Sequence, residues 1–188
     1  MNGEAERIPS GSQTVGPYFR IGLQSMIERT PEIALETGGM IAIEGQVFDL
    51  EGAPVTDAML EFWSPGPDLA CASIESERSG FPHGFTRAFA GDDGRFSVVL
   101  ERPAQSTSGE NPQAEHFIVL VFARGLLRHL LTRVYPGHGP NDQGDLVLSK
   151  IPEERRDTLI ALEDKLRTNV FHWNVQLQGP RETVFFAW

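Results

Sequence analysis

The chain has 188 residues, enough for one large domain with a substantial hydrophobic core. Acidic residues outnumber basic residues by 26 to 16, and the resulting net charge of −10 argues against nucleic acid or an anionic membrane as a natural partner. Cys71 is the only cysteine, which excludes an internal disulfide framework. No apolar run approaches the ~20 residues of a membrane span and no secretory signal follows Met1, so we expect a soluble cytoplasmic protein.

The first 37 residues differ in character from the rest of the chain. Residues 1–13 are polar and contain Gly, Ser and Pro, which predicts an extended arm. Residues 14–23 are largely apolar around Gly16 and Pro17, a pair that we expect to fix an extended or turn conformation. An apolar segment of this kind needs a surface, either its own core or another subunit. We therefore divide the chain into an N-terminal arm, residues 1–37, and a main domain, residues 38–188.

Short segments of strand character follow in order from residue 38. Alternating residues predict a strand at 41–48, a turn at 49–54 and a returning strand at 58–63, together a hairpin-like unit. Residues 64–85 contain three prolines and predict a long irregular loop, and loops of that length are often functional.

The second half of the chain continues this pattern. The turn signal Asp92-Asp93-Gly94 introduces a further strand, and residues 151–162 give the best helix, with Pro152 at its first position. The other predicted strands are residues 95–100, 117–123, 126–135, 169–177 and 182–188. Seven or eight strands with one short helix are typical of an antiparallel β-sandwich or barrel.

One basic residue is unusual in its position. On the alternating pattern of residues 126–135, Arg133 shares a face with Leu131 and Tyr135 in the middle of an apolar hairpin. A charge there is costly unless it is paired or faces a ligand or a partner. A structural salt bridge to one of the many carboxylates and a ligand contact are both open on spacing alone.

The residues carry no catalytic motif of their own. The five histidines, at positions 83, 116, 129, 138 and 172, do not form the closely spaced pairs typical of metal sites. No Gly-flanked nucleophilic serine and no Gly-rich phosphate loop is present, and Cys71 has no basic neighbour.

Three stretches together resemble the alpha subunits of protocatechuate 3,4-dioxygenases. They are the N-terminal SQTVGPYFRIGL, the pair FARG and LTRVY, and the C-terminal QGPRETVFF, with support from GQVFD, LEFW and ERRDTLIA. The resemblance implies an all-β fold, an antiparallel β-sandwich with one short helix and an extended N-terminal arm. It also implies intradiol cleavage of protocatechuate, a small aromatic acid, with O2 to 3-carboxy-cis,cis-muconate by pairs of alpha and homologous beta chains.

The resemblance further implies which chain holds the cofactor. In this family non-haem Fe(III) is bound by two Tyr and two His of the beta chain. The beta-type H-x-H motif reads His116-Phe117-Ile118 here, and isoleucine cannot ligate iron, so we expect no metal and no catalytic residue in this chain.

By the same resemblance, the alpha chain shapes the substrate pocket. We expect Arg133 to bind the substrate carboxylate, because a guanidinium matches a carboxylate with two parallel hydrogen bonds, and Gly16, Pro17 and Tyr18 to form a pocket wall. Two alternatives stay open. One is a non-catalytic β-sandwich binding module, and the other is a purely structural subunit in which Arg133 is only a salt bridge.

Overall fold

Nine strands and three short α-helices make up the part of the chain that the computed structural model describes, residues 11–27, 39–64, 84–103, 113–137 and 145–187. The strands are β1 (Met40–Phe48), β2 (Met59–Trp63), β3 (Phe85–Phe89), β4 (Arg95–Glu101), β5 (Phe117–Phe122), β6 (Leu130–Pro136), β7 (Ile160–Glu163), β8 (Val170–His172) and β9 (Val175–Gln176). The helices are α1 (Pro17–Ile27), α2 (Leu146–Ser149) and α3 (Glu153–Arg156). The all-β prediction is confirmed.

The strands form one nearly closed sheet in the order β3-β2-β5-β6-β7-β8-β1-β4, with β9 paired to β1. Most neighbours are antiparallel, but β1 pairs in parallel with β8 and β9, and β6 pairs in parallel with β7. The β2-β3-β5-β6 part and the β1-β4-β8-β9 part pack against each other, which makes the sheet a β-sandwich around one shared core.

Aromatic rings join the two layers of this core. The ring centroids of Phe62 on β2 and Phe96 on β4 are 6.2 Å apart, and Phe96 meets Trp173 edge-on at 6.5 Å. Gly45 on β1 allows this packing, because a Cβ atom there would lie 1.6 Å from the carbonyl oxygen of Trp173. The close approach of two backbones therefore requires glycine at this position.

The predicted hairpin of residues 41–63 is wrong in its pairing, although both strands exist. Strand β1 pairs with β4, β8 and β9, whereas β2 pairs with β3 and β5 in the other layer. The connection between β1 and β2 is longer than a tight hairpin turn, and only the bridge between Phe48 and Pro54 stabilises it as a sheet contact.

The helices also differ from the sequence prediction. Of the extended and turn conformations expected at Gly16 and Pro17, the structure has a turn that opens helix α1 at Pro17, where a fixed φ and a missing N–H suit a first turn. The helix predicted at 151–162 is much shorter: α3 ends at Arg156, a 3-10 turn covers Asp157–Leu159, and β7 follows. Pairing of β7 with β6 and β8 overrides the local helical preference there.

Several strand boundaries need correction as well. Strand β6 begins at Leu130 rather than at residue 126, and the strand predicted at 169–177 is divided into β8 and β9. The strand predicted at 182–188 is reduced, in its described part, to one bridge between Leu131 and Phe186. Strand β3 falls at the end of the predicted loop of residues 64–85, of which 65–83 lie outside the described residues. Among the described residues, every helix is too short or too polar to span a bilayer.

Candidate functional site

Arg133 lies on β6, on the face of the sheet that points away from the shared core. Thr132 and Val134 point into the core with no exposure, while Arg133 lies opposite Ile118 of β5 and is half-buried. We call this surface of β2, β3, β5 and β6 the outer face. The faces that the alternating sequence predicted for these residues are therefore correct.

The Arg133 guanidinium makes two described hydrogen bonds, both through Nη1. It donates to Oε1 of Gln113 at 3.3 Å and to the hydroxyl of Tyr135 at 3.4 Å. Within the described residues it forms no salt bridge, whereas Arg87 and Arg102 pair with Glu61 and Glu115. The structural salt bridge that the sequence left open is thus not formed with any carboxylate of the described segments.

Tyr135 is buried beneath Arg133, with 1% of its surface exposed. Its ring belongs to a second, smaller core with Leu148, Ile151 and Leu159, formed where α2 and the 3-10 turn Asp157–Leu159 cover β6. Burial raises the pKa of the Tyr135 hydroxyl to about 12; the Arg133 guanidinium lowers this pKa and the Asp145 carboxylate raises it. The hydroxyl is therefore neutral over the physiological range and interacts with both charges.

Asp145 fixes the start of α2 and is fully buried. One carboxylate oxygen accepts hydrogen bonds from the backbone N–H groups of Val147 and Leu148 at 2.8 and 3.0 Å, and the other accepts from the N–H of Ala114 at 3.0 Å. The carboxylate therefore holds the segment before β5 against the helix that covers β6. Sequence reasoning missed Asp145, although an aspartate before the apolar run Leu-Val-Leu is a typical helix N-cap signal.

His116 lies beside Tyr135, with ring centroids 5.5 Å apart, and is 2% exposed. Its Nδ1 is 2.8 Å from the carbonyl oxygen of Ala114, so Nδ1 carries the proton and donates. Burial lowers the pKa of His116 to about 4, which keeps the imidazole neutral at physiological pH. Its Nε2 has no hydrogen-bond partner among the described residues.

The described residues do not fit an iron site. They contain no group of three or more His, Cys, Asp or Glu side chains that could hold a metal ion. Ile118, two residues after His116, offers no donor atom, so this strand carries one histidine where the beta-type motif has two.

The segment Gly16-Pro17-Tyr18 lies at the start of α1, where Gly16 is exposed and Tyr18 is 82% exposed. The Phe19 N–H donates to the Gly16 carbonyl at 3.0 Å, and the Phe19 ring packs on Phe122 at 5.8 Å. Tyr18 is thus presented outward by a helix that is itself held on the outer face.

Two further contacts attach this segment to the sandwich. Thr14 accepts a hydrogen bond from the Gly125 N–H at 2.9 Å, and Arg20 donates to the Ala90 carbonyl at 3.1 Å. An apolar cavity of about 500 Å³ opens between the segment and the turn after β5, lined among others by Val15, Phe19 and Leu126.

The structure does not bring the four predicted site residues into one pocket of this chain. The N-terminal segment rests at the Phe122 end of β5, whereas Arg133 lies beside Ile118 at the other end. Four residues of strand separate these points, roughly 13 Å. Both groups nevertheless lie on the same outer face, so a second surface laid on this face could close a site between them. Gln113, which sequence reasoning also missed, lies in an irregular segment and carries no pattern that would have singled it out.

Comparisons with known proteins give two relatives that match nearly the whole chain. It is 39% identical over 191 residues to the protocatechuate 3,4-dioxygenase alpha chain of Burkholderia cepacia, covering 93% of this chain and 95% of the relative. It is 29% identical over 189 residues to the protocatechuate 3,4-dioxygenase alpha chain of Pseudomonas putida, covering 93% and 94%. No family model matches the chain.

Solved structures show the same fold at low identity. The 3-chlorocatechol 1,2-dioxygenase of Rhodococcus opacus 1CP superposes with a TM-score of 0.57 at 18% identity, over 92% of this chain and 68% of that one. The dioxygenase domain of a carbohydrate-binding fusion protein from Streptomyces sp. SirexAA-E gives a TM-score of 0.56 at 20% identity, over 78% and 85%. These likenesses confirm the predicted β-sandwich of intradiol dioxygenases.

Proposed function

The chain belongs to the family of protocatechuate 3,4-dioxygenase alpha chains, and from this premise we propose that it is the alpha subunit of a hetero-oligomer that cleaves protocatechuate with O2 to 3-carboxy-cis,cis-muconate. The match extends over almost the full length of both relatives, so it includes the outer face as well as the core. The protein is a dioxygenase subunit of aromatic catabolism. We propose a cytoplasmic location for it.

Arg133 carries the proposed contact with substrate. Protocatechuate has one carboxylate, and a half-buried guanidinium without an acidic partner among the described residues is suited to receive it. The observation that supports this role best is that both described hydrogen bonds of Arg133 use neutral acceptors, so its positive charge is still available for an anionic ligand.

Gly16, Pro17 and Tyr18 form the proposed second wall. They start a helix that is anchored to the outer face through Thr14, Phe19 and Arg20, and this anchoring supports a fixed position for the wall. The wall rests at the Phe122 end of β5 and Arg133 lies beside Ile118, roughly 13 Å away along that strand, so a site between them needs a surface from another chain.

We assign the iron to that other chain. Members of this family use non-haem iron, and the described residues of this chain do not fit an iron site. A homologous beta chain that binds Fe(III) and lies over the outer face would supply the metal and the missing wall. The role of the alpha chain is then to bind and orient the substrate carboxylate and to exclude water.

The first experiment tests the assembly. The tagged chain is purified gently from its own host, and native mass spectrometry reads the copurifying chains and the iron per complex. We expect a homologous partner with one iron per alpha–beta pair, and ring cleavage of protocatechuate by the complex. A chain that arrives alone and without iron would instead support a non-catalytic binding module.

The second experiment tests Arg133 in the assembled complex. Replacing Arg133 with Leu removes a charge-assisted contact, so KM for protocatechuate should rise roughly 10- to 100-fold while the iron content stays the same. Arg95→Leu is the matched control, because it removes an exposed guanidinium from β4 in the other layer and should leave KM unchanged. Unchanged kinetics of Arg133→Leu would show that the residue is only structural.

A further inference from the structure

The Arg133 guanidinium is held by one nitrogen. Nη1 carries two hydrogens and donates to two acceptors, Gln113 and Tyr135, while Nη2 and Nε have no partner among the described residues. The edge formed by Nε and Nη2 is one of the two edges through which arginine binds a carboxylate with two parallel hydrogen bonds. The described contacts therefore engage Nη1 and leave that edge for a ligand.

The Tyr135 acceptor cannot move to follow the arginine. Its side chain is 1% exposed and packs among Leu148, Ile151 and Leu159, with the His116 ring at 5.5 Å on its side. An acceptor at a fixed position restricts the rotamers of a long side chain, and arginine otherwise loses rotamer freedom when a ligand immobilises it. Part of this ordering is thus complete before substrate arrives.

The charges around Tyr135 favour the same orientation. The Asp145 carboxylate, fully buried and fixed by three backbone N–H groups, interacts with the Tyr135 hydroxyl, and so does the Arg133 guanidinium. His116 stays neutral at physiological pH, so it does not add a second positive charge that would repel Arg133. The Tyr135 hydroxyl thus lies in the field of one negative and one positive group, and Arg133 is the positive one.

We propose that Tyr135 and Gln113 are positioning residues, which hold Nη1 of Arg133 so that its Nε and Nη2 edge faces the substrate carboxylate. This inference rests on the proposed function, because it assumes that Arg133 binds the substrate. Neither residue touches substrate in this account, and both act through Arg133 alone.

The test uses the Tyr135→Phe variant in the assembled complex. The variant keeps the buried ring and removes the hydroxyl, so KM for protocatechuate should rise about 3- to 10-fold, the effect of losing one hydrogen bond, while kcat stays within about twofold. With catechol, the same ring without the carboxylate, KM should stay within about twofold. Thr132→Val is the matched control, since it removes a neighbouring hydroxyl that faces the core and donates to the Val184 carbonyl.

A double variant separates this inference from the proposed function. In the Arg133→Leu background, Tyr135→Phe should add nothing to the rise in KM. If Arg133→Leu raises KM and Tyr135→Phe does not, the positioning role is overturned and the proposed function stands. If neither raises KM, both fall. If Tyr135→Phe raises KM equally with and without Arg133, the residue acts independently of Arg133 and the inference is overturned.

A second variant keeps the inference testable should Tyr135→Phe fail to fold. Gln113→Leu removes the other acceptor of Nη1 from a half-buried position outside the second core. A rise in KM for protocatechuate of about threefold or more, with kcat and catechol turnover unchanged, supports the inference. An unchanged KM for protocatechuate overturns it.

Discussion

Asp145→Ala should destabilise the chain more than any other single loss of a polar side chain near the site. The carboxylate is fully buried and accepts three backbone hydrogen bonds, two from the first turn of α2 and one from Ala114 before β5. Loss of a helix N-cap costs about 1–2 kcal/mol, and leaving the buried Ala114 N–H without an acceptor costs about 1–3 kcal/mol more. We therefore expect a decrease of about 2–5 kcal/mol in the free energy of unfolding.

The assay is urea unfolding followed by tryptophan fluorescence, at one fixed protein concentration. Asp49→Ala is the matched control: its carboxylate also accepts two backbone hydrogen bonds, from Glu51 and Ala53, but in a solvated turn. We expect that variant to lose less than about 1 kcal/mol. A decrease below about 1 kcal/mol for Asp145→Ala would refute the reasoning, because it would show that water replaces the carboxylate at a site that the structure places in the core.

Two further predictions concern stability. Gly45→Ala should lower the free energy of unfolding by about 3 kcal/mol or more, or prevent folding, because its Cβ would lie 1.6 Å from the Trp173 carbonyl oxygen. Gly22→Ala in α1 is the control: its Cβ would enter open space, so this variant should be neutral or stabilising. Equal stability of the two variants in urea would contradict this prediction. Burial lowers the pKa of His116 from 6.5 to about 4 in the folded state. The contribution of the neutral imidazole to the free energy of unfolding is therefore fully present above pH 6.5, and about 3 kcal/mol of it is lost as the pH falls toward 4. His116→Phe should flatten the dependence of the unfolding free energy on pH in this window. An unchanged slope would show that other groups cause the pH dependence.

Local periodicity predicted the faces of β6 correctly. Thr132 and Val134 face the core while Arg133 does not, as the alternating pattern requires. Arg133 could be singled out from the sequence because a charge within an apolar alternating segment is itself informative.

Non-local pairing explains most of the errors. The sequence predicts that β1 and β2 pair with each other, because they are neighbours along the chain. In the structure β1 pairs with β4 and β2 pairs with β5. Residues 160–163 continue an amphipathic pattern but become β7, since pairing with β6 and β8 is worth more than helix propensity. The sequence predicts an extended or turn conformation at Gly16 and Pro17 and no helix after them, because the contacts that hold α1 in place, from Thr14, Phe19 and Arg20, all reach residues far along the chain.

The same limit separates Arg133 from its hydrogen-bond acceptors. Gln113 comes from an irregular segment and Tyr135 from β6, and only the folded structure brings both to one guanidinium. A sequence pattern can identify a residue that is costly in its place, because the cost is local. It cannot identify the groups that offset that cost, since any acceptor in the chain could do so. The polar residues around an unusual charge are therefore where a structure adds most to a sequence-based prediction, and here they are two neutral acceptors at the Arg133 guanidinium.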